Sequence, residues 1–260
     1  MDLKIIRDRQ ALAEYFRQNI SLHAYSLGDL DDFYWPNVTC IGLESAFGFD
    51  EVSVLYQGDG LPVLLAFSQG GKMNGKYFSQ IFSLLPDQFY AHLSPKLEIH
   101  FSDIYQVKAH GDHFKMELQL PDFTSMGKIE NICQLSKDDL PEMIDLYECS
   151  YPGNSFDPRM VLTEGYFGYR EAGNLVCVGG VHVYSREFKV AALGNITTHP
   201  DFRNRGLGRR VTSTICSSLF EKVSFIGLNV KCDNLPAINL YQSLGFAISS
   251  KYGEFSCKKA

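Results

Sequence analysis

Two stretches of this 260-residue sequence hold residue types whose spacing suits chemistry, and both lie in its second half. The first runs Ile196-Thr-Thr-His-Pro-Asp-Phe-Arg-Asn-Arg-Gly-Leu-Gly-Arg-Arg-Val. An apolar strand pattern ends at Pro200, a polar loop follows, and Gly206 and Gly208 open a helical pattern. Glycines let the backbone turn with successive N–H groups facing one concavity, and a helix starting there adds its positive end. Such a loop suits a phosphate or diphosphate. Arg203, Arg205, Arg209 and Arg210 add charge within eight residues. By itself the signal is weak, because any strand-to-helix crossover can contain Gly-x-Gly. No Gly-Lys-Ser/Thr follows and no Gly-x-Gly-x-x-Gly is present, so neither a Walker kinase nor a dinucleotide fold is indicated.

The second stretch is Leu228-Asn-Val-Lys-Cys-Asp-Asn-Leu-Pro-Ala-Ile-Asn-Leu-Tyr-Gln-Ser-Leu-Gly-Phe. A strand ends in Asp233-Asn234, and Pro236 occupies the first turn of a short helix carrying Tyr241. Gly245 stops that helix and Phe246 opens a strand. The two blocks, in this order and about thirty residues apart, resemble the GCN5-related N-acetyltransferase (GNAT) superfamily. Arg203-x-x-Gly206-x-Gly208 is similar to its pyrophosphate motif. Asn234-x-x-Ala237-x-x-x-Tyr241-x-x-x-Gly245-Phe246 is similar to its second acyl-CoA motif. The Thr198-His199-Pro200 step resembles the branch related to glycine N-acyltransferases, with FR47-like C-terminal domains. The resemblance covers about residues 130–256.

It implies an α/β (α+β) fold: a mixed central sheet with flanking helices and a V-shaped opening between parallel strands at 190–198 and 225–230. Acetyl-CoA would be the cosubstrate, with no metal. Pantetheine would run beside the backbone of Ile196 and Thr198, and the diphosphate would rest on the N–H groups of Asn204, Arg205, Gly206, Leu207, Gly208 and Arg209. Asn234 would bond the pantetheine arm or its neighbouring backbone. The implied reaction is direct acyl transfer to a primary amine on a small molecule or protein. It needs a neutral amine, a polarised carbonyl and a proton for the leaving thiolate. A phenol with a pKa of about 10 suits a thiolate of about 8.5 or higher, which makes Tyr241 the candidate general acid. Some members place a glutamate eleven residues before the pyrophosphate motif, which here is Ala192. His182 is the candidate base instead, with His199, Glu164 or a water relay as alternatives. The rival reading is an inactive acyl-CoA-binding sensor or scaffold, and a second is a dimerisation platform.

Position comes from the elements around these blocks. Pro, Gly, Ser and Thr interrupt the patterning at Leu120–Ile129, which suggests domains at 1–125 and 126–260. Asp8–Asn19 reads as an amphipathic helix, Glu51–Tyr56 and Leu61–Phe67 as a hairpin about Gly58-Asp59-Gly60, and Tyr77–Leu85 as a helix. Leu97–Phe101 reads as a strand, and His110-Gly111-Asp112 as the turn of another hairpin. In the second half a helix should begin at Ser136, followed by strands near 165–170, 175–184 and 190–198. A helix at 208–222, a strand at 225–230, a helix at 235–244 and a strand at 246–255 complete it. Both halves share an element order, so the first could be a degenerate GNAT-like sibling.

Composition supports an ordinary globular chain: 45% hydrophobic, 21% charged, net charge −6. Residues 1–125 carry 9 basic and 16 acidic side chains, and no basic run suits nucleic acid. No apolar run approaches the roughly 20 residues of a membrane span, the N-terminus lacks a signal-peptide core, and seven scattered cysteines form no CxxC. The expectation is a cytoplasmic protein, without nucleic-acid or membrane partners, with a homodimer left open.

Overall fold

The computed structural model describes residues 3–45, 48–58, 60–69 and 71–260. Its strands are β1 (Leu3–Ile6), β2 (Val38–Ser45), β3 (Gly48–Tyr56), β4 (Val63–Ala66), β5 (Gln88–Leu93), β6 (Tyr105–Gln119), β7 (Ile132–Gln134), β8 (Phe167–Glu171), β9 (Asn174–Ser185), β10 (Val190–Thr198), β11 (Phe225–Lys231) and β12 (Ala247–Lys259). The helices are α1 (Arg9–Arg17), α2 (Ile20–Gly28), α3 (Gly75–Ile81), α4 (Leu140–Ser150), α5 (Leu207–Phe220) and α6 (Leu235–Gln242). Two compact units result. The first runs to Lys115 and adds Val230–Asp233 and Ser249–Ala260; the second comprises Met116–Asn229 and Asn234–Ile248.

In the first unit the strand order is β1-β2-β3-β4-β5-β12-β6. Neighbours β1 to β4 are antiparallel, and β4 is parallel to β5 across α3. Asp8 starts α1 by accepting the Gln10 and Ala11 N–H groups, and Leu12, Ala13, Tyr15 and Phe16 form its buried stripe. Asn19 then caps α2, a second helix where the sequence reading ended the first. Beneath α3 lies an aromatic core of Phe78, Phe89, Phe101 and Tyr105.

Two expected elements differ. Leu97–His100 is a 3₁₀ turn, entered through Lys96 at φ 73°, and the strand is β5, one turn earlier. His110-Gly111-Asp112 makes no hairpin, because β6 runs through it for 15 residues. Gly111 has φ 102°, so the glycine absorbs an irregularity inside a strand, and Asp112 accepts the Cys232 N–H on the neighbouring segment. The β3–β4 hairpin is present, with Tyr56 opposite Val63; Asp59 at its tip lies outside the described residues.

In the second unit β7, β8, β9 and β10 are successively antiparallel, and β10 is parallel to β11 across α5. A capping box between Ser136 and Asp139 leads into α4, whose Met143, Leu146 and Tyr147 are buried. Val211, Ile215, Cys216 and Leu219 form the buried face of α5. The element order strand, helix, helical turn or helix, three antiparallel strands, helix, parallel strand occurs in both units.

Candidate functional site

The parallel pair β10 and β11 keeps register from Val190↔Phe225 to Leu193↔Leu228 and then stops. Strand β10 nevertheless continues to Thr198. Its backbone departs at Asn195, which takes φ 54° inside a bulge against β9. Three buried contacts hold this kink. Tyr147 of α4 donates to the Asn195 carbonyl at 2.8 Å, Asn195 Nδ2 donates to Tyr166 Oη at 3.1 Å, and Tyr166 donates to the Val181 carbonyl at 3.1 Å. Desolvation keeps both phenols protonated by raising their pKa values. Strand divergence is thus built into the sequence by Tyr147, Tyr166 and Asn195, none of which the motif reading singled out.

The expected phosphate loop returns to the end of β10. Arg203 Nε donates to the Thr198 carbonyl at 3.1 Å, and a Cβ on Gly208 would be in ordinary contact with Thr198 Oγ1 at 3.9 Å. Asn204 (φ 61°) and Gly206 (φ 73°) both take left-handed backbone, which folds successive N–H groups into one concavity. Gly206 is also the N-cap of α5 and offers no side chain to that helix end. A Cβ on Gly208 would meet Leu240 Cδ1 of α6 at 3.1 Å, so the second glycine serves close packing.

Three of the arginine side chains bond within the protein. Arg203 also reaches the Ser150 carbonyl, Arg205 pairs with Glu171 at 2.8 Å over the Phe202 ring, and Arg209 reaches the Ser243 carbonyl. What the turn leaves uncommitted for an anion is its backbone N–H groups and the buried Arg209 Nε, which has no hydrogen-bond partner. Leu207 is buried beneath them, and Ile196 packs where a Gly179 Cβ would lie, 2.9 Å from Ile196 Cγ1. Thr198 Oγ1 donates to Cys177 Sγ, whose thiol burial pushes up to about 11, so it stays protonated. Asn234 caps α6 by accepting the Ala237 N–H at 3.3 Å.

His182 of β9 lies against the strand gap. A Cβ on Gly194, the first β10 residue past the last β10–β11 pair, would sit 1.8 Å from His182 Cδ2. Only a glycine admits the imidazole there. Across the gap, Asn229 is the first β11 residue beyond that pair, and its buried Oδ1 has no hydrogen-bond partner. Tyr241 of α6 packs edge-on to Phe246, 5.7 Å between ring centroids, and desolvation raises its phenol pKa. Beside Tyr147 opens a cavity of about 360 Å³ lined by Ile144, Glu148, Asn154 and Phe156. Ala192, at the position implied for a glutamate, is buried in β10 and has no proton-accepting group. Among the described residues no group of three metal-ligating side chains is arranged for a metal ion. No described helix is long and apolar enough to cross a membrane.

The model of the acetyltransferase (GNAT) family matches residues 130–246. The segment 130–246 belongs to the GNAT family. Among curated proteins, the [ribosomal protein bS18]-alanine N-acetyltransferase of Salmonella typhimurium is 44% identical over 57 residues, 22% of this chain and 38% of that protein. The chain thus spans well under half the length of that relative. A Drosophila protein solved by X-ray crystallography superimposes with a TM-score of 0.73 at 12% identity, over 98% of each chain. A tandem GNAT protein from the clavulanic acid biosynthesis pathway gives 0.56 at 11% identity, also over 98% of each. These likenesses carry the fold across both units, and the GNAT domain shows the mixed sheet with flanking helices that the sequence implied.

Proposed function

We propose that this chain is an N-acetyltransferase that moves an acetyl group from acetyl-CoA directly to a primary amine. The observation that supports it most is the parting of β10 and β11 after Leu193↔Leu228. A strand whose neighbour has left it offers backbone groups to an extended amide-bearing chain, as edge strands do. The residues there fit pantetheine: backbone at Ile196 and Thr198, the unpartnered Asn229 Oδ1 as an acceptor, and the Asn204–Arg209 N–H groups for the diphosphate. Asn234 supports that cradle by starting α6. When bound, acetyl-CoA would supply its acetyl group to the amine by cleavage of the thioester C–S bond, with coenzyme A leaving as the thiol.

The chain's own groups then move protons. His182, admitted by Gly194, takes the proton that makes the amine nucleophilic. Tyr241 donates its hydroxyl proton to the departing sulfur, and its raised pKa keeps it protonated across the neutral range. The cavity at Tyr147, with the Glu148 carboxylate on its wall, suits the acceptor's cationic amine end. Small amines and protein amines both fall in this class, and the ribosomal-protein alanine for which the Salmonella relative is named belongs in the first panel.

Calorimetry with acetyl-CoA should show binding in the micromolar range, and a thiol-release assay over an amine panel should show turnover. Tyr241→Phe should lower kcat by about 10²-fold or more with acetyl-CoA affinity nearly unchanged. Loss of affinity and turnover together would assign Tyr241 to packing. Binding without turnover on any amine would favour an inactive acyl-CoA sensor.

A further inference from the structure

The first unit repeats the crossover of the GNAT domain: β4, a Gly-containing loop, α3, then parallel β5. We infer that in this loop the carboxylate of Glu51 is a built-in anion holding the backbone groups that a bound phosphate would otherwise hold, so that the chain carries one acyl-CoA site and not two. The single-site part rests on the proposed acetyltransferase reading; the Glu51 part does not.

Glu51 lies on β3 and is fully buried. Its Oε1 accepts the Lys72 N–H at 2.8 Å and the Ser68 hydroxyl at 2.6 Å, while Oε2 accepts the Gln69 N–H at 3.3 Å. Ser68 Oγ accepts the Gly71 N–H at 2.9 Å, so the hydroxyl relays a further loop amide to the same carboxylate. A carboxylate gathering loop N–H and O–H donors is the electrostatic equivalent of a phosphate oxygen in a glycine-rich loop.

Two other features of this unit point the same way. Strands β4 and β5 stay in register to the last residue of β4, Ala66↔Leu93, and the Ser94 N–H continues the ladder by donating to the Ala66 carbonyl at 3.0 Å. Ser68 N–H donates to Ser94 Oγ just beyond, so no gap opens for an extended ligand. Two first-turn N–H groups of α3, on Lys76 and Tyr77, are taken by the Asn74 side chain, whereas the Gly206 N-cap of α5 offers no such side chain. One crossover is filled from within; the other is left to be filled.

The test removes the internal anion. Glu51→Ala leaves two loop N–H groups and a hydroxyl without their acceptor, so its thermal midpoint should fall by roughly 5 °C or more. Sulfate or phosphate should restore much of that loss, whereas chloride at matched ionic strength should not. The wild type in the same series subtracts the general stabilisation these salts give every protein. If Glu51→Ala does not fold, Glu51→Ser serves, since it also vacates the carboxylate's place while keeping a small polar side chain on β3. A variant as stable as wild type, or one that sulfate and phosphate rescue no better than chloride, overturns the assignment of Glu51. Calorimetry on the wild-type chain should give one acetyl-CoA per chain, and two would overturn the single-site inference. No binding at all would refute the acetyltransferase reading, while the salt rescue would still decide the role of Glu51.

Discussion

At the position of residue 194 the choice of side chain is narrow. Any Cβ there overlaps the His182 ring, with Cδ2 at 1.8 Å and Nε2 at 2.4 Å. Gly194→Ala must therefore displace the imidazole while leaving its chemistry in the protein. If His182 is the base, Gly194→Ala and His182→Ala should lower kcat by similar factors, about 10²-fold, with acetyl-CoA affinity held within a few-fold. Rates at raised pH separate a lost base from a distorted fold: a substrate amine already neutral needs no base, so both variants should recover toward wild type in alkaline buffer. Tyr241 should not limit that recovery, because its desolvated phenol titrates above its ordinary value of 10.0. Unequal losses, or no alkaline recovery, would remove His182 from the mechanism. The sequence made Tyr241 and His182 visible for different reasons, the first by motif spacing and the second by alternation along a strand. Asn229 gave no such sign. Its type is common, and only the departure of β10 leaves its Oδ1 without a partner.

Helix α2 and the strands of the first unit enclose ionisable groups that the motif reading did not reach. His23 of α2 is buried against Tyr15, Phe16 and Phe67, and desolvation pushes its pKa down to about 3. Asp29, just after α2, is pushed up to about 7 by burial. Lys115 of β6 lies with its ammonium nitrogen 4.0 Å from the Phe67 ring centroid, 5.0 Å from that of Tyr252 and 5.4 Å from that of Tyr25, and burial lowers its pKa to about 7. Linkage fixes the signs. The His23 contribution grows as pH rises from about 3 to the unfolded value of 6.5, while the Asp29 contribution is lost between 3.8 and about 7. These two oppose each other. The folded chain releases the Lys115 proton near 7 and the unfolded chain keeps it to 10.5, so stability gains with pH across that window. Urea unfolding should therefore show stability rising from pH 7 to about 8.5, above which the buried thiols of Cys40, Cys177, Cys216 and Cys257, held above their ordinary value by burial, oppose the gain. Lys115→Met, which leaves an apolar chain among the three rings, should be more stable at pH 7 and flatten the slope. An unchanged slope in that variant would place the pH dependence elsewhere. Such a group escapes sequence reading because the rings that enclose it come from positions 25, 67 and 252.

Across the whole chain, local signals were legible and distant pairings were not. The Ser136 capping box, the Gly206 start of α5 and the Asn234–Gly245 limits of α6 depend on residues a few positions apart, and each stands where its chemistry puts it. The turn signal at Gly111-Asp112 was equally local, and it yielded to pairing along a 15-residue strand. The same reach decides how the two units are completed. Gly253 to Lys258 of β12 pair antiparallel with Leu93 to Gln88 of β5, so the chain's last strand finishes the sheet of its first unit. Residues 116–125 go the other way: the Leu244 carbonyl accepts the Thr124 N–H at 3.0 Å, and Gly245, at φ 100°, leaves room for the Asp122 carbonyl, which a Cβ would meet at 2.0 Å. A cut at 125/126 therefore removes β12 from the first unit and the 116–125 segment from the second. Fragments 1–125 and 126–260, expressed singly, should show the poor amide dispersion and non-cooperative melting of unfinished sheets, since an exposed β5 edge lacks its partner. Co-expressed, they should co-purify and recover a single cooperative transition, because β12 can still pair with β5. A stable, well-dispersed 1–125 fragment would show that the first unit does not depend on the strand it takes from the far end of the chain.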